Sequence, residues 1–246
     1  MQPRFLQTYA DELSKHLDYL PTWPLDYDVK LGDVGVLEGS VFKRTDTLES
    51  LGIHDLAVRK GQGTQLLEFS SQKGVEIVWA AGGESAIKGF GGEVEIRFSR
   101  DGAVFLRVGE HTLDQFESTD RLGKEIIQRY KSGNWKRNRV VVTEVVKAAS
   151  AIVLVSGSGK AEAKFKLDAS LPSTEALAKG KLSQLVSVSG SFNTKIVSEG
   201  VSPLLRTCGL RGLFITDFRV GRPTTSGIAP EDLKLGRVDS SDQLED

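Results

Sequence analysis

The sequence predicts an α+β fold: a twisted, mostly antiparallel sheet with long hairpins, an N-terminal helix and one or two further helices. Three observations lead there. Arg139–Leu167 reads RVVVTEVVKAASAIVLVSGSGKAEAKFKL. A β-branched apolar run, a Ser/Gly turn and a strictly alternating return make the pattern of a large hairpin with one apolar and one polar face. Val94, Ile96 and Phe98 alternate with Glu93, Glu95, Arg97 and Ser99 ahead of Asp101-Gly102, a hairpin turn signal, after which AVFLRV returns. Helix-periodic segments interrupt the strands instead of alternating with them one for one, so a parallel βαβ series is not expected.

In chain order, Phe5, Leu6, Tyr9, Leu13, Leu17 and Leu20 recur at helical spacing and predict the N-terminal helix, which Pro21 and Pro24 end. Trp23 and Tyr27 pin the connection that follows. VGVL, EG and SVFKR read as a tight hairpin, and TDTLESLG as a single helical turn. TQLLEFS and GVEIVWAA suit strands, and the glycine-rich AAGGESAIKGFGGE reads as a connection or a kinked strand. A helix starts near Thr119 or Asp120, buries Leu122, Ile126, Ile127 and Tyr130, and stops at Gly133. After the 139–167 hairpin, a short helix over 174–182 and an alternating LVSVSGSFNTKIVS strand follow, and PLLRTCG and LFITDFRV close the core. Residues 1–221 read as one α+β domain, with no repeat or internal linker; residues 222–246, polar and acidic at their end, read as a flexible tail.

With 246 residues the chain can bury a substantial core. Its net charge of −1 gives no global attraction to nucleic acid or anionic lipid, so such a contact needs a local patch. Cys208 is the sole cysteine and cannot close an intramolecular disulfide, which favours a reducing compartment. Asp11 and Glu12 interrupt the N-terminus where a signal peptide needs an apolar core. The longest uncharged apolar run, 148–159, is shorter than the roughly 20 residues of a membrane-spanning helix. The chain is therefore expected to be made as a soluble cytoplasmic protein, which leaves later insertion as β-strands open.

A search for chemistry returns no catalytic, cofactor-binding or metal-binding set, and a non-enzyme without cofactor is expected. His16, His54 and His111 stand at no metal-ligand spacing. GSGK at 157–160 lacks the earlier glycine and the following Ser/Thr of a phosphate loop and reads as a β-turn. Gly61–Gly63 is too short for a dinucleotide fingerprint, Glu93 and Glu95 read as a solvated strand face, and Cys208 as a buried structural thiol. One cluster carries charge: Arg129, Lys131, Lys136, Arg137 and Arg139 surround Tyr130 and Trp135. It is either a solvated helix end or a contact for the phosphates of lipid. Stacking on nucleobases would want aromatics on neighbouring strands, and no nucleic-acid partner is expected.

Several segments reach the roughly nine to eleven alternating residues of a transmembrane β-strand, though a soluble antiparallel sheet has the same signature. RVVVTEVVKA, Arg139–Ala148, resembles the central strand of the gasdermin pore-forming domain, and the preceding helix and the KAEAKFKL arm stand in the same order. The resemblance covers about residues 120–168. It implies a latent soluble protein of the bacterial gasdermin kind that permeabilises membranes by hairpin insertion and self-oligomerisation, moving to the inner membrane on activation. The inserting hairpins would carry Val94, Ile96, Phe98, Val153, Val155, Ala163, Phe165 and Leu167. Arg129, Lys131, Trp135, Lys136, Arg137 and Arg139 would meet an anionic lipid membrane. The trigger would be proteolysis in the tail, near Lys234 or Arg237. The chain departs from bacterial members in lacking a cysteine near the start, and its tail has no dense apolar face. The alternative is a non-enzymatic binding or scaffold module that offers an antiparallel sheet face to a protein partner.

Overall fold

The computed structural model describes residues 4–25, 27–63, 67–79, 93–167, 182–212 and 233–238. Helix α1 (Arg4–Leu17) is followed by β1 (Leu20–Pro21), β2 (Asp33–Glu38), β3 (Val41–Thr47), β4 (Val58–Gly63), β5 (Leu67–Ser70) and β6 (Val75–Trp79). Then come β7 (Glu93–Phe98), β8 (Val104–Val108), β9 (His111–Phe116) and α2 (Asp120–Lys131). The chain continues through β10 (Val140–Ser156), β11 (Glu162–Leu167), β12 (Leu182–Ser189), β13 (Phe192–Gly212) and β14 (Leu233–Val238). The α+β class with an N-terminal helix and a mostly antiparallel sheet holds.

The strands form a ten-stranded and a four-stranded sheet. Their neighbour orders match. In the large sheet β13 pairs with β10, β10 with β8 and β9, and β8 with β5; in the small sheet the order is β12-β11-β7-β6. The same chain segments thus run through both sheets, turning at 71–74, 99–103, 157–161 and 190–191. The two sheets are the arms of one sharply bent antiparallel sheet.

This corrects the expected hairpins. β7 and β8 do not pair with each other, nor do β10 and β11: the turns at Asp101-Gly102 and 157–160 are corners between sheets. The two segments instead pair with one another, β8 on β10 and β7 on β11. The hydrogen-bonded hairpins of the small sheet are β6–β7 and β11–β12. Local alternation and turn chemistry read a corner and a hairpin turn alike, because both need Gly or Asp to reverse the chain.

Apolar periodicity fixes where the layers meet. Tyr9 and Leu13 of α1 pack with Val104, Leu106, Val108, Val153 and Val155 on one face of the large sheet. On its other face, Phe105, Ile152 and Leu154 meet Val94, Ile96, Ala163 and Phe165 of the small sheet. Further along β10, Leu122 and Ile126 of α2 cover Val141 and Leu210, while Leu20, Val29 and Phe42 cover Val140 and Leu205. The VGVL–SVFKR hairpin is β2–β3, closed by Gly39 at φ 60°. β4 and β9, pairing Val58–Gly63 with Phe116–His111, were not anticipated: VRKGQG and HTLDQF show little apolar alternation. Six residues of the expected flexible tail form β14, which pairs with the end of β13 and lies beside α2. The glycine-rich stretch 81–92 and most of the expected 174–182 helix lie outside the described residues, and Leu182 opens β12.

Candidate functional site

The bend between the arms gathers most of the residues proposed for insertion. Val94, Ile96 and Phe98 of β7 and Ala163 and Phe165 of β11 are 0–3 % exposed, all on the face that closes against the large sheet. Phe98 also meets Phe192 edge-on at 5.5 Å between ring centroids. The opposite face of the small sheet is charged: Glu95 lies 2.9 Å from Arg97 and 3.4 Å from Lys164. The hydrogen bond from Arg97, aided by the charge of Lys164, holds the Glu95 carboxyl below the usual carboxylate range. Val153 and Val155 sit elsewhere, on the α1 side of the large sheet. Leu167 ends β11.

The corner itself is clasped by Ser156, which is 0 % exposed. Its hydroxyl accepts the Ala103 N–H at 2.9 Å and donates to the Arg100 carbonyl at 2.7 Å. Its carbonyl accepts from Gly102 N–H at 3.0 Å and from the Asn193 side-chain amide at 2.7 Å. Two glycines make the close approach workable. Gly102 takes φ 68°, and Gly190 takes φ 72° where a Cβ would stand 2.7 Å from the Lys160 carbonyl oxygen.

The register through this corner carries the most information. β9 and β8 pair along β10 from Gln115↔Glu144 to Val104↔Val155, and β7 pairs along β11 from Arg97↔Glu162 to Glu93↔Lys166. Between the two stretches, 98–103 lie opposite 156–161, equal lengths on the two strands. Phe98 N–H donates to the Ala161 carbonyl and Ser156 N–H to the Ala103 carbonyl, so the ladder keeps one register around the bend. The two flanks do not: 157–161 lie opposite only 190–191 between the Ser156↔Phe192 and Glu162↔Ser189 pairs, and 71–74 lie opposite 99–104 between Ser70↔Phe105 and Val75↔Phe98.

An in-register ladder fixes which side chains share a face. Were the corner extended, Val94, Ile96, Phe98, Val104, Leu106 and Val108 would project to one side, opposite Phe165, Ala163, Ala161, Val155, Val153 and Ala151. The bend currently splits this apolar set between the two cores. Arg100 is the charged exception within the set.

The basic cluster is only partly on the surface. Trp135 is 3 % exposed and packs with Leu122, Ile126 and Val141, its indole N–H without a hydrogen-bond partner among the described residues. Arg139 lies 5.8 Å from the Trp135 ring centroid and pairs with Asp46 at 3.1 Å. Arg129 pairs with Glu125 at 3.1 Å. Lys131, Lys136 and Arg137 face solvent.

The Glu of the VVVTEV motif is structural. Glu144 accepts from the Tyr19 hydroxyl and pairs with Arg206 at 3.1 Å, and the Arg206 guanidinium lies 4.1 Å from the Tyr19 ring centroid. Burial, and then the hydrogen bond to Glu144, push the Tyr19 phenol above its ordinary value. The histidines stay apart: His16 stacks on Phe69 at 5.4 Å, His54 is exposed, and His111 Nδ1 lies 3.1 Å from the Gly109 carbonyl oxygen. No group of potential metal ligands occurs among the described residues, and no helix there is long and apolar enough to cross a membrane.

Sequence reasoning found the apolar faces and missed the Ser156 clasp. Serine at a turn is ordinary, and only the pairing partner of the turn makes it a hub. No protein-family model and no curated protein matches this chain. Among solved structures, the chain is similar to a bacterial gasdermin from Bradyrhizobium tropiciagri, at 16 % identity over 83 % of this chain and 86 % of that one, with a TM-score of 0.35. It is a weak structural resemblance that extends over most of the chain.

Proposed function

We propose that this chain is a latent, gasdermin-like protein that permeabilises anionic membranes by inserting β-hairpins and assembling with its own copies. The observation that carries the reading is the register-preserving ladder: the small arm can swing away from the large arm with no strand exchanging a partner along it. The apolar face so released, Val94, Ile96, Phe98, Ala163 and Phe165, would pass from protein core to lipid, so its burial from water is exchanged and not lost. Inside a bilayer every backbone group needs an internal partner, which edge-to-edge closure into a barrel supplies.

Arg100 sets the depth. A cation on a lipid-facing strand costs about 2–4 kcal/mol at the bilayer midplane and about 0–1 kcal/mol near the interface. The bend therefore belongs at the membrane surface, with β6–β7 and β11–β12 crossing and the large sheet outside. Lys131, Lys136 and Arg137 supply exposed charge for lipid phosphates, each worth about 1 kcal/mol near an anionic surface. Lys234 and Arg237 lie within β14, paired along β13, so a protease acting there would need that strand released first; nicking favours exposed, unpaired backbone.

The test is dye leakage from liposomes containing anionic lipid, comparing the full chain with a form ending at Gly221, which lacks β14. The truncated form is expected to leak and the intact chain to stay silent. Absence of leakage from both forms on every anionic composition would falsify the proposal.

A further inference from the structure

We propose that helix α1 is a latch on the bend, acting through the carboxylate of Glu12. Glu12 contacts two successive corners. It accepts a hydrogen bond from the hydroxyl of Ser71, which sits between β5 and β6, and it pairs with Arg100, between β7 and β8, at 3.3 Å. Ser71 is 1 % exposed, and the same hydroxyl accepts the N–H of Val104 at 3.0 Å, the first residue of β8. A single carboxylate on the helix thus closes a chain of bonds through both corners into the ladder. One turn earlier on α1, Thr8 stands over the same corner as Arg100: a Cβ on Gly102 would lie 3.0 Å from its methyl group.

The alternative, that α1 only caps the first core, explains its apolar face but not this arrangement. Tyr9 and Leu13 supply the packing against Val104 and Leu106. Glu12 adds nothing to that core; its bonds go to the segments that must change direction if the arms separate. Arg100 is also the one charged side chain in the apolar set from Val94 to Val108 and its partners on β10 and β11, so the ion pair that holds the bend neutralises the group least suited to an opened face. Lifting α1 breaks both contacts together and leaves the Ser71 hydroxyl to the Val104 N–H alone.

The conformational half of this proposal stands by itself, and only its link to leakage rests on the membrane-permeabilising reading. Residue-resolved amide hydrogen exchange on the full chain tests the first half, with Glu12→Ala, Arg100→Gln and the exposed helix control Arg4→Gln. Glu12→Ala is expected to speed exchange at Gly102, Ala103 and Val104 about tenfold, the factor that one lost charged hydrogen bond gives. Arg100→Gln should do so less, Arg4→Gln not at all, and Val145 and Leu205 in the large sheet should keep their rates in every variant. Corner amides at wild-type rates in Glu12→Ala, or a rise spread evenly over the whole molecule, would overturn the latch. In the leakage assay the Gly221-truncated form carrying Glu12→Ala should act faster than the truncated parent. If neither leaks, the functional reading fails while the exchange data still decide the latch.

Discussion

The two arms of the bent sheet are built on different terms. In the large arm β10 is buried on both faces along most of its length, under α1 on one side and the small arm on the other, and under α2 and the β2–β3 hairpin further along. In the small arm β7 alternates exposed and buried positions, and among the described residues its apolar side has one cover, the large arm itself. Moving the large arm would break several interfaces at once. Among the described residues, moving the small arm breaks one apolar interface besides the Glu12 contacts at the corners. The difference marks the large sheet as platform and the small sheet as the part able to exchange surroundings, an asymmetry expected where a protein stores a conformational change.

The sharpest way to break this comparison is to remove the same side chain from each arm. Phe105 and Phe165 are both fully buried in the shared core, one in β8 and one in β11. Phe105→Ala should cost about 3–5 kcal/mol and shift one cooperative unfolding transition in urea. Phe165→Ala should also be costly, but its loss should appear first as faster amide exchange in β7 and β11 while β10 and β13 stay protected. If both variants lose protection evenly across the two sheets, the arms are one cooperative unit and the platform picture fails.

That asymmetry was half legible in the sequence. Alternation along Glu93–Phe98 and 160–167 marks the amphipathic arm, while the uncharged apolar run 148–159, which reads as part of a hairpin with one polar face, holds the stretch 151–155 that the fold covers on both faces. What the sequence hid was pairing. Asp101-Gly102 and Gly157–Gly159 satisfy the same backbone demands in a hairpin turn and in a sheet corner, and nothing local says which strand lies across. β4 and β14 escape the sequence because each pairs on one side among the described residues and such strands need less apolar surface, and β9, held between β10 and β4, escapes because HTLDQF shows little apolar alternation. The charge cluster read as one patch, yet the fold buries Trp135 and pairs Arg129 and Arg139, because helix-end cations find carboxylates three or four residues away or on the adjoining strand.

A smaller effect sharpens the platform side. Arg206 ties β13 to Glu144 of β10 and to the Asp18 carbonyl at 3.0 Å, so it anchors the end of α1 to the centre of the large sheet. Arg206→Met keeps the stem that covers Tyr19 and removes the charge. With Glu144 left against Tyr19 alone, stability should fall by about 2–3 kcal/mol. The check is the urea midpoint together with exchange at Val145 and Leu205, which should quicken here and in none of the corner variants. An unchanged midpoint would mean that solvent already shares that carboxylate.

The smallest expected effect tests how α1 sits on the platform. Tyr9 is fully buried beneath the helix, and its hydroxyl has no hydrogen-bond partner among the described residues. Deleting a buried, unpaired hydroxyl removes a desolvation penalty without opening a large cavity, so Tyr9→Phe should be neutral or stabilising by up to about 1 kcal/mol at pH 7. The pH dependence gives an independent sign. Burial pushes the Tyr9 phenol above its ordinary value, so the folded chain holds that proton where the unfolded chain has released it. Stability is therefore intact below about pH 10 and falls as the pH rises further. Tyr19, also raised, contributes in the same direction. Tyr9→Phe removes one of these two contributions, so the gap between variant and parent should widen from pH 7 to about pH 11 in urea midpoints. A variant less stable than the parent at pH 7 would show that water bonds the hydroxyl, and that α1 sits on a wetter, more easily lifted contact than its apolar stripe implies.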